Sequence, residues 1–564
     1  MNSETKICQN CKQNFTIDPE DFDFYNKVNV PPPTFCWQCR FQRRIAARNE
    51  RKLFRNKSAK SGADIITLSP PASGIPVYTQ EEWWADDWDQ MATGRDYDFK
   101  RNFFDQLFDL VKVAPRFGQS VVNIINSLYS ANASYLKNCY LLFNSNSSED
   151  SAYGNAVDAC KDSYDNSHIS QSERCYECFW MTNCYECRGS SQCVDCHGMW
   201  FSKNCWGCSD CIGCVNLTKQ KYCIFNVPYS KEEYEKKKAE MKLNTHSGLR
   251  QAQAKAKEFW LKFPNKCIEG IQNDNVTGAY VTNSKNVHYG YLVREGKDMK
   301  YVQYQQVPKN EDCYDISIWG ENNQLAYENT ACGHGTQRVK FSLECYTDLR
   351  DIEYCICCCS SSNLFGCVGI RKKEYCILNK QYSKEEYEAL RAKIIQHMKD
   401  MPYTDKKGNV YKYGEFFPIE LSAFGYNSST AIQHFPLTKE EAMAQGYKWN
   451  DEDAKAYETT MQASEIPDVI EDVQDDILKQ LIACESCSKA YRLIQNELTF
   501  LRSQKLPVPR KCIDCRYEAR IAQRNKAFLY DRTCEKCSVD IKTSYSPDQP
   551  EIVYCEACYQ AEVV

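Results

Sequence analysis

The chain has 564 residues, 43% hydrophobic and 26% charged, with a net charge of −5. It is too long for a single core, too apolar for a disordered chain and too acidic for a general nucleic-acid coat. Its 35 cysteines against 7 histidines make any metal chemistry thiolate-dominated. No run of about 18 apolar residues is present, which argues against a membrane span. The opening MNSETKICQNC lacks the apolar stretch of a signal peptide. Both observations point to the cytoplasm and to reduced thiols rather than disulfides.

Residues 1–85 form the first module, which opens on two CxxC pairs, Cys8 with Cys11 and Cys36 with Cys39. Each pair chelates one side of an ion from a tight knuckle, and the second pair closes a tetrahedron, as in a zinc ribbon. A basic helix follows, carrying Arg40, Arg43, Arg44, Arg48 and Arg51 with Glu50 as its one acid. Residues 86–128 read as an acidic, aromatic helical linker. From Cys139 to Cys223 every gap between successive cysteines is a multiple of three, and several fall on 18-residue ladders such as Cys160, Cys178, Cys196 and Cys214. This predicts a Cys-rich parallel β-solenoid over 129–228 with about 18 residues per coil. Asn138, Asn183 and Asn204 would stand at its corners, since Asn tolerates left-handed backbone.

Residues 229–264 read as charged helices opened by the capping box Ser230 and Glu233. A second, looser solenoid is predicted over 265–381, where Val287, Met299, Cys313, Val339 and Ile352 recur at uneven steps. The segment GCVNLTKQKYCIFNVPYSKEEYE from Gly213 returns as GCVGIRKKEYCILNKQYSKEEYE from Gly366, so both blocks end alike, the second with the box Ser383 and Glu386. Residues 382–462 are helical and irregular, with Thr438 and Glu441 capping a helix. Residues 463–483 predict an amphipathic helix with Val469, Ile470, Val473, Ile477, Leu481 and Ile482 on one face.

The last module, 484–564, repeats 8–84 without a gap at a constant offset of 476. Cys484, Cys487, Cys512 and Cys515 repeat the first ligand set, and Arg516, Arg520 and Arg524 repeat the basic helix. Cys534, Cys537, Cys555 and Cys558 add a further set. Its N-terminal counterparts are Ser58, Ser61, Thr79 and Glu82, none of them a thiolate. About three Zn2+ per chain are therefore expected, closed by four thiolates each and structural rather than hydrolytic.

The fold class read from this pattern is mainly β, with parallel β-solenoid units and capping helices between terminal four-cysteine zinc ribbons. A ribbon followed by an arginine helix suits a phosphate backbone, so RNA or an acidic protein surface is the expected partner of Arg40, Arg43, Arg44, Arg48, Arg51, Arg516, Arg520 and Arg524. The same arginines would alternatively make a solvated face or pack on the acidic stretch from Glu81 to Asp109. The solenoid cysteines leave two uses open. They could pack as small apolar side chains, or hold a zinc or iron–sulfur array across Cys175–Cys214, which would make a metal store or redox protein. Cys355, Cys357, Cys358 and Cys359 are the densest cluster for such a role. Enzyme signals are confined to Cys332 beside His334, a pair with no third group.

The segment CQNCKQNFTIDPEDFDFYNKVNVPPPTFCWQCRFQRR resembles the zinc-ribbon domain family. With RRIAARNE, the two YSKEEYE segments, YGEFFP and FPLTKEEAMAQGYKW, the whole chain resembles Cys-rich proteins of candidate-phyla (Patescibacteria-type) bacteria. The resemblance implies zinc binding. Some of those proteins are labelled acyl-CoA transferases, an activity for which this chain has no supporting residue.

Overall fold

The computed structural model describes residues 2–307, 309–451 and 457–563. The fold is mainly β, with two parallel solenoids as the body and four-cysteine ribbons at both ends. In the first solenoid Ile125 bridges Lys137, Lys137 bridges Glu149, and the same step of 12 continues to Ile212 and Ile224. The coil is thus 12 residues long, not 18. Each of its four sides is a triplet of one outward bridging residue, one corner residue and one inward residue. From Asn132 to Phe225 every third residue has a left-handed φ, including Asn138 (54°), Asn183 (53°) and Asn204 (51°). A corner at every third residue is what lets both thiols of a CxxC face inward, which a flat strand forbids. Cysteines 18 residues apart are one and a half coils apart and stand on opposite walls.

Left-handed backbone costs a non-glycine residue about 1–2 kcal/mol, and least for Asn and Asp. The corners offset part of that by bonding along the stack. Asn126 Nδ2 donates to Asn138 Oδ1 at 3.1 Å, and Asn138 Nδ2 to Asp150 Oδ1 at 3.0 Å.

The backbone accounting explains the composition of the interior. A bridging N–H donates forward, as Lys137 does to the Ser148 carbonyl at 3.1 Å, and a corner N–H donates backward, as Asn138 does to the Ile125 carbonyl at 2.9 Å. The inward N–H has no place in either ladder, and a buried unpaired donor is costly. A small side chain one coil earlier accepts it. Ser127 Oγ takes the Cys139 N–H at 2.9 Å, Ser163 Oγ takes that of Cys175 at 3.2 Å, and Cys214 Sγ takes that of Asn226 at 3.4 Å. In return the hydroxyl or thiol donates to nearby carbonyls, as Cys178 Sγ does to Tyr176 at 3.4 Å and Cys187 at 3.3 Å. An inward residue that fills this role must be small and carry an S–H or O–H, whereas Leu136, Leu142, Val157, Ile169, Met181 and Met199 fill other inward positions by packing alone. Cys and Ser meet both conditions.

The second solenoid is the same coil with variable length. Lys285 pairs with Lys297, Met299 with Cys313, Cys313 with Ala326 and Ile352 with Leu364, so the step changes between 12, 14 and 13. The uneven series Val287, Met299, Cys313, Val339 and Ile352 is one inward column. Both solenoids end alike. A hairpin joins Cys223–Ile224 to Val227–Pro228 in the first and Glu374–Ile377 to Lys380–Gln381 in the second. At these ends Asn226 and Asn379 bond both backbone groups of Val215 and Val368 at 2.7–3.0 Å. Helices Lys231–Glu240 and Lys384–Asp400 follow, each with the expected capping box. The repeated YSKEEYE segment is therefore the solenoid terminator.

Helices His246–Trp260 and Lys439–Ala444 also form as expected. Two further expectations need correction. The first solenoid already starts at Val121, which pairs with Ala133. The amphipathic helix over 463–483 does not form; 3-10 turns at Ile470–Asp472 and Asp475–Lys479 replace it. Glu471, Asp472, Asp475 and Asp476 would repel one another at helical spacing. Ile470, Val473, Ile477 and Ile482 are buried without a helix.

Candidate metal centres and arginine clamps

Each ligand set is built on the same knuckle. Cys8 N–H donates to Gln13 and its carbonyl accepts from Lys12, whose φ is 62°; Cys484 with Ser488 and Cys534 with Ser538 repeat the turn. The second pair reaches back, with the N–H of Cys36, Cys512 and Cys555 donating to the sulfur of Cys8, Cys484 and Cys534 at 3.2 Å in all three. The four sulfurs of each set lie within 4.8 Å of one another. Cys11–Cys36, Cys487–Cys512 and Cys537–Cys555 are each 3.7 Å apart. A tetrahedron with metal–sulfur bonds of about 2.3 Å has edges of about 3.8 Å, so the spacing fits one ion held by four thiolates. Burial resists ionisation of Cys484, but backbone N–H groups of Cys512, Ser486 and Cys487 outweigh it and bring the thiol down to about 7. All twelve ligands expected from sequence are brought together. The three sites can hold metal, and none keeps an open position for catalysis.

The missing fourth site retains its frame. Ser58 N–H donates to Ala63 and Gly62 N–H to Ser58, the same knuckle with glycine at the left-handed position. Where the ion would sit, the Glu82 carboxylate accepts from Ser58 Oγ and from Thr79 N–H at 2.9 Å, and Thr79 Oγ1 accepts from Glu82 N–H at 3.1 Å. A fixed carboxylate has replaced the metal. Changing Ser58, Ser61, Thr79 and Glu82 together to Cys is expected to raise the metal content of purified protein by one ion per chain, measured by elemental analysis.

The arginine helices are the main correction. Cys36 is the N-cap of Trp37–Ala46, and Arg40, Arg43, Arg44 and Arg48 on or just beyond this helix are only 0–4% exposed. Arg40 donates to Asp315 through Nε at 3.0 Å and Nη2 at 2.7 Å, and Arg44 Nη1 to the other oxygen of the same carboxylate at 3.0 Å. Arg43 lies between Glu328 and Glu415 at 3.1 and 3.2 Å, and Arg48 between Glu50 and Glu344 at 3.4 Å each. These carboxylates belong mostly to the second solenoid. The copy is faithful. Cys512 caps Ile513–Ile521, whose Arg516 and Arg520 hold the two oxygens of Asp165 in the first solenoid at 2.6 and 2.7 Å. Arg516 also bonds Glu497 at 2.8 Å. Asp165 and Asp315 share a left-handed φ of 57°. An aromatic stack accompanies each clamp, Phe24 on Tyr314 at 3.8 Å and Phe500 on Tyr164 at 4.4 Å.

Arg40, Arg43, Arg44, Arg48, Arg516 and Arg520 are therefore not available to a phosphate backbone, which must be reached through solvent. Arg51 and Arg524 are also engaged, the first 3.3 Å from the centre of the Tyr517 ring and the second donating to Tyr304 Oη at 2.7 Å. Nor do the clamps use the acidic stretch 81–109. Sequence reasoning missed Asp165 and Asp315. Their one signal is that each directly follows a tyrosine, Tyr164 in the first solenoid and Tyr314 in the second.

The cysteine-dense run splits across the solenoid wall. Cys355 and Cys358 join the interior, while Cys357 and Cys359 face the core shared with the first ribbon. Among the described residues the three terminal sets alone bring three or more metal-type donors within 4.8 Å. Cys332 lies inside the second solenoid, whereas His334 is at the surface, 3.2 Å from Glu321, so the two do not form a dyad. The sequence matches no protein-family model and no curated protein.

Proposed function

We propose that the protein is a zinc-organised, non-enzymatic scaffold in which the terminal metal sites fix two clamps that hold the solenoids together. One observation carries the reading: in both ribbons a ligand cysteine is the N-cap of the helix whose arginines are buried against the opposite solenoid. Four thiolates at tetrahedral spacing suit zinc, in keeping with the resemblance to Cys-rich zinc-ribbon proteins. A reducing cytoplasm suits the interior, whose thiols act as hydrogen-bond donors, a role that a disulfide sulfur cannot fill. RNA or an acidic protein surface would have to be met by residues other than the clamp arginines.

Elemental analysis and a low-salt RNA-retention assay on the purified protein test this. The expected result is three zinc ions per chain and no RNA binding that depends on Arg43 or Arg44. Substantially more metal, or iron–sulfur absorbance, would shift the function to the solenoid thiols. Salt-sensitive RNA binding abolished by Arg43→Glu in a folded variant would return it to nucleic-acid recognition.

A further inference from the structure

The leading coil of the first solenoid is covered on one side and open on the next two. Its first side is closed by the first ribbon. Val77 and Tyr78 run parallel to Arg116 and Phe117, Gly118 N–H donates to Tyr78 at 2.9 Å, and Leu68 N–H donates to Gly118 at 3.0 Å. Beyond Gly118 that cover stops. On the next coil the corner N–H donates to the coil before, as Tyr135 does to Val122 at 2.8 Å and Asn138 to Ile125 at 2.9 Å. Asn123 and Asn126 hold the same corner conformation, each with φ 49°. Among the described residues their N–H groups have no partner, because no coil precedes them. The Ile124 carbonyl is in the same position, whereas the Leu136 carbonyl, one coil on, accepts from Ile125 at 2.8 Å.

The outward side chains change character at this coil. Behind Ile125 its outward column runs Lys137, Glu149, Lys161 and Glu173. Lys137 and Glu149 pair at 2.7 Å and Lys161 joins them at 3.9 Å. Ile125 breaks that charge ladder and is 59% exposed, with Leu128 at 58% and Val122 at 51%. The second solenoid supplies the control. Its leading coil is covered in the same way, Val553 and Tyr554 lying parallel to Asn265 and Lys266. The residue in the register of Ile125 is there Asp274, paired with Lys285 at 3.2 Å. An open backbone edge is an association hazard that charge ordinarily blocks. Here the charge is absent and three exposed aliphatic side chains take its place.

We propose that this edge is a two-fold interface with a second copy of the chain, independent of the metal reading. The edge offers N–H groups at Asn123 and Asn126 with the Ile124 carbonyl between them. When two copies meet antiparallel about a two-fold axis between these groups, the Asn123 N–H of each donates to the Ile124 carbonyl of the other. An extended peptide strand could follow only one three-residue side before the coil turns away at its corner. Head-to-tail stacking is blocked, since both solenoids end in a hairpin and a capped helix. What remains is closed, isologous pairing, with Val122, Ile125 and Leu128 buried against their symmetry mates.

Sedimentation of the zinc-loaded full chain is expected to give twice the 65.4 kDa of one chain. The double variant Ile125→Lys with Leu128→Glu is expected to give the single-chain mass, with metal content and far-UV circular dichroism unchanged. A single-chain mass for the parent at the highest attainable concentration would overturn the proposal, as would a folded variant that still pairs. Should the variant fail to fold, amide exchange of the parent decides. Protection of the Asn123 amide that is lost on dilution supports the interface, and its absence at all concentrations refutes it.

Discussion

Asp315→Ala is expected to destabilise the protein by about 3–5 kcal/mol, the cost of stripping one partner from a buried ion pair. The upper end applies, because this carboxylate serves both Arg40 and Arg44, and the Arg44 side chain is fully shielded from water. Removing it leaves two guanidinium groups facing each other in a site where Glu328 is already shared with Arg43. Asp165→Ala should do the same to Arg516 and Arg520. Denaturant midpoints followed by tryptophan fluorescence would measure both. A second variant separates charge from shape. Replacing Asp315 by Leu together with Arg40 and Arg44 by Met should recover most of the loss, since well-packed apolar groups often match a buried ion pair in stability. Near-neutral behaviour of Asp315→Ala would mean that the arginines reach water in solution, and the clamp would then not exist.

Metal removal is the other large perturbation. A structural zinc site contributes on the order of 10 kcal/mol to the folding of a small isolated domain. In this protein the loss should not spread evenly. The knuckle sulfurs hold Cys36 and Cys512, and these residues open the helices that carry the clamp arginines. A strong chelator at neutral pH is therefore expected to raise amide exchange across Trp37–Ala46 and Ile513–Ile521. The solenoid interior from Cys139 to Cys223, which takes its bonds from its own thiols and hydroxyls, should stay protected. Equal loss of protection in the solenoid would show that its cysteines hold metal after all. No change in either helix would show that packing alone sets the ribbons.

The three four-cysteine sets were fully legible because each depends on short spacings, two residues within a pair and one return of the chain. The solenoid was legible as an architecture but not in its dimension. Cysteine and serine are interchangeable on the inner wall, as Ser127, Cys139, Ser151, Ser163 and Cys175 on one column demonstrate. Counting cysteines alone therefore samples the 12-residue repeat incompletely and lets an 18-residue alias stand out. The clamps were not legible. Arg40 and Asp315 are separated by 275 residues, and a row of arginines on a helix reads the same whether it meets solvent, phosphate or a buried carboxylate. Besides the tyrosine before each aspartate, the copy in the last module carries a hint. Arginines kept in register with an offset of 476 imply two equivalent partners, which the paired corners Asp165 and Asp315 supply.

The crossed arrangement of ribbons and solenoids sets a timetable for synthesis. The last ribbon emerges when Asp165 and its solenoid are already complete, so its arginines can dock at once. The first ribbon has no such partner when it leaves the ribosome. At about 5–20 residues per second, the stretch between Arg40 and Asp315 takes roughly 15–55 s to make. Throughout that interval Arg40 and Arg44 lack the Asp315 carboxylate that pairs them, and Phe24 lacks the Tyr314 ring on which it stacks.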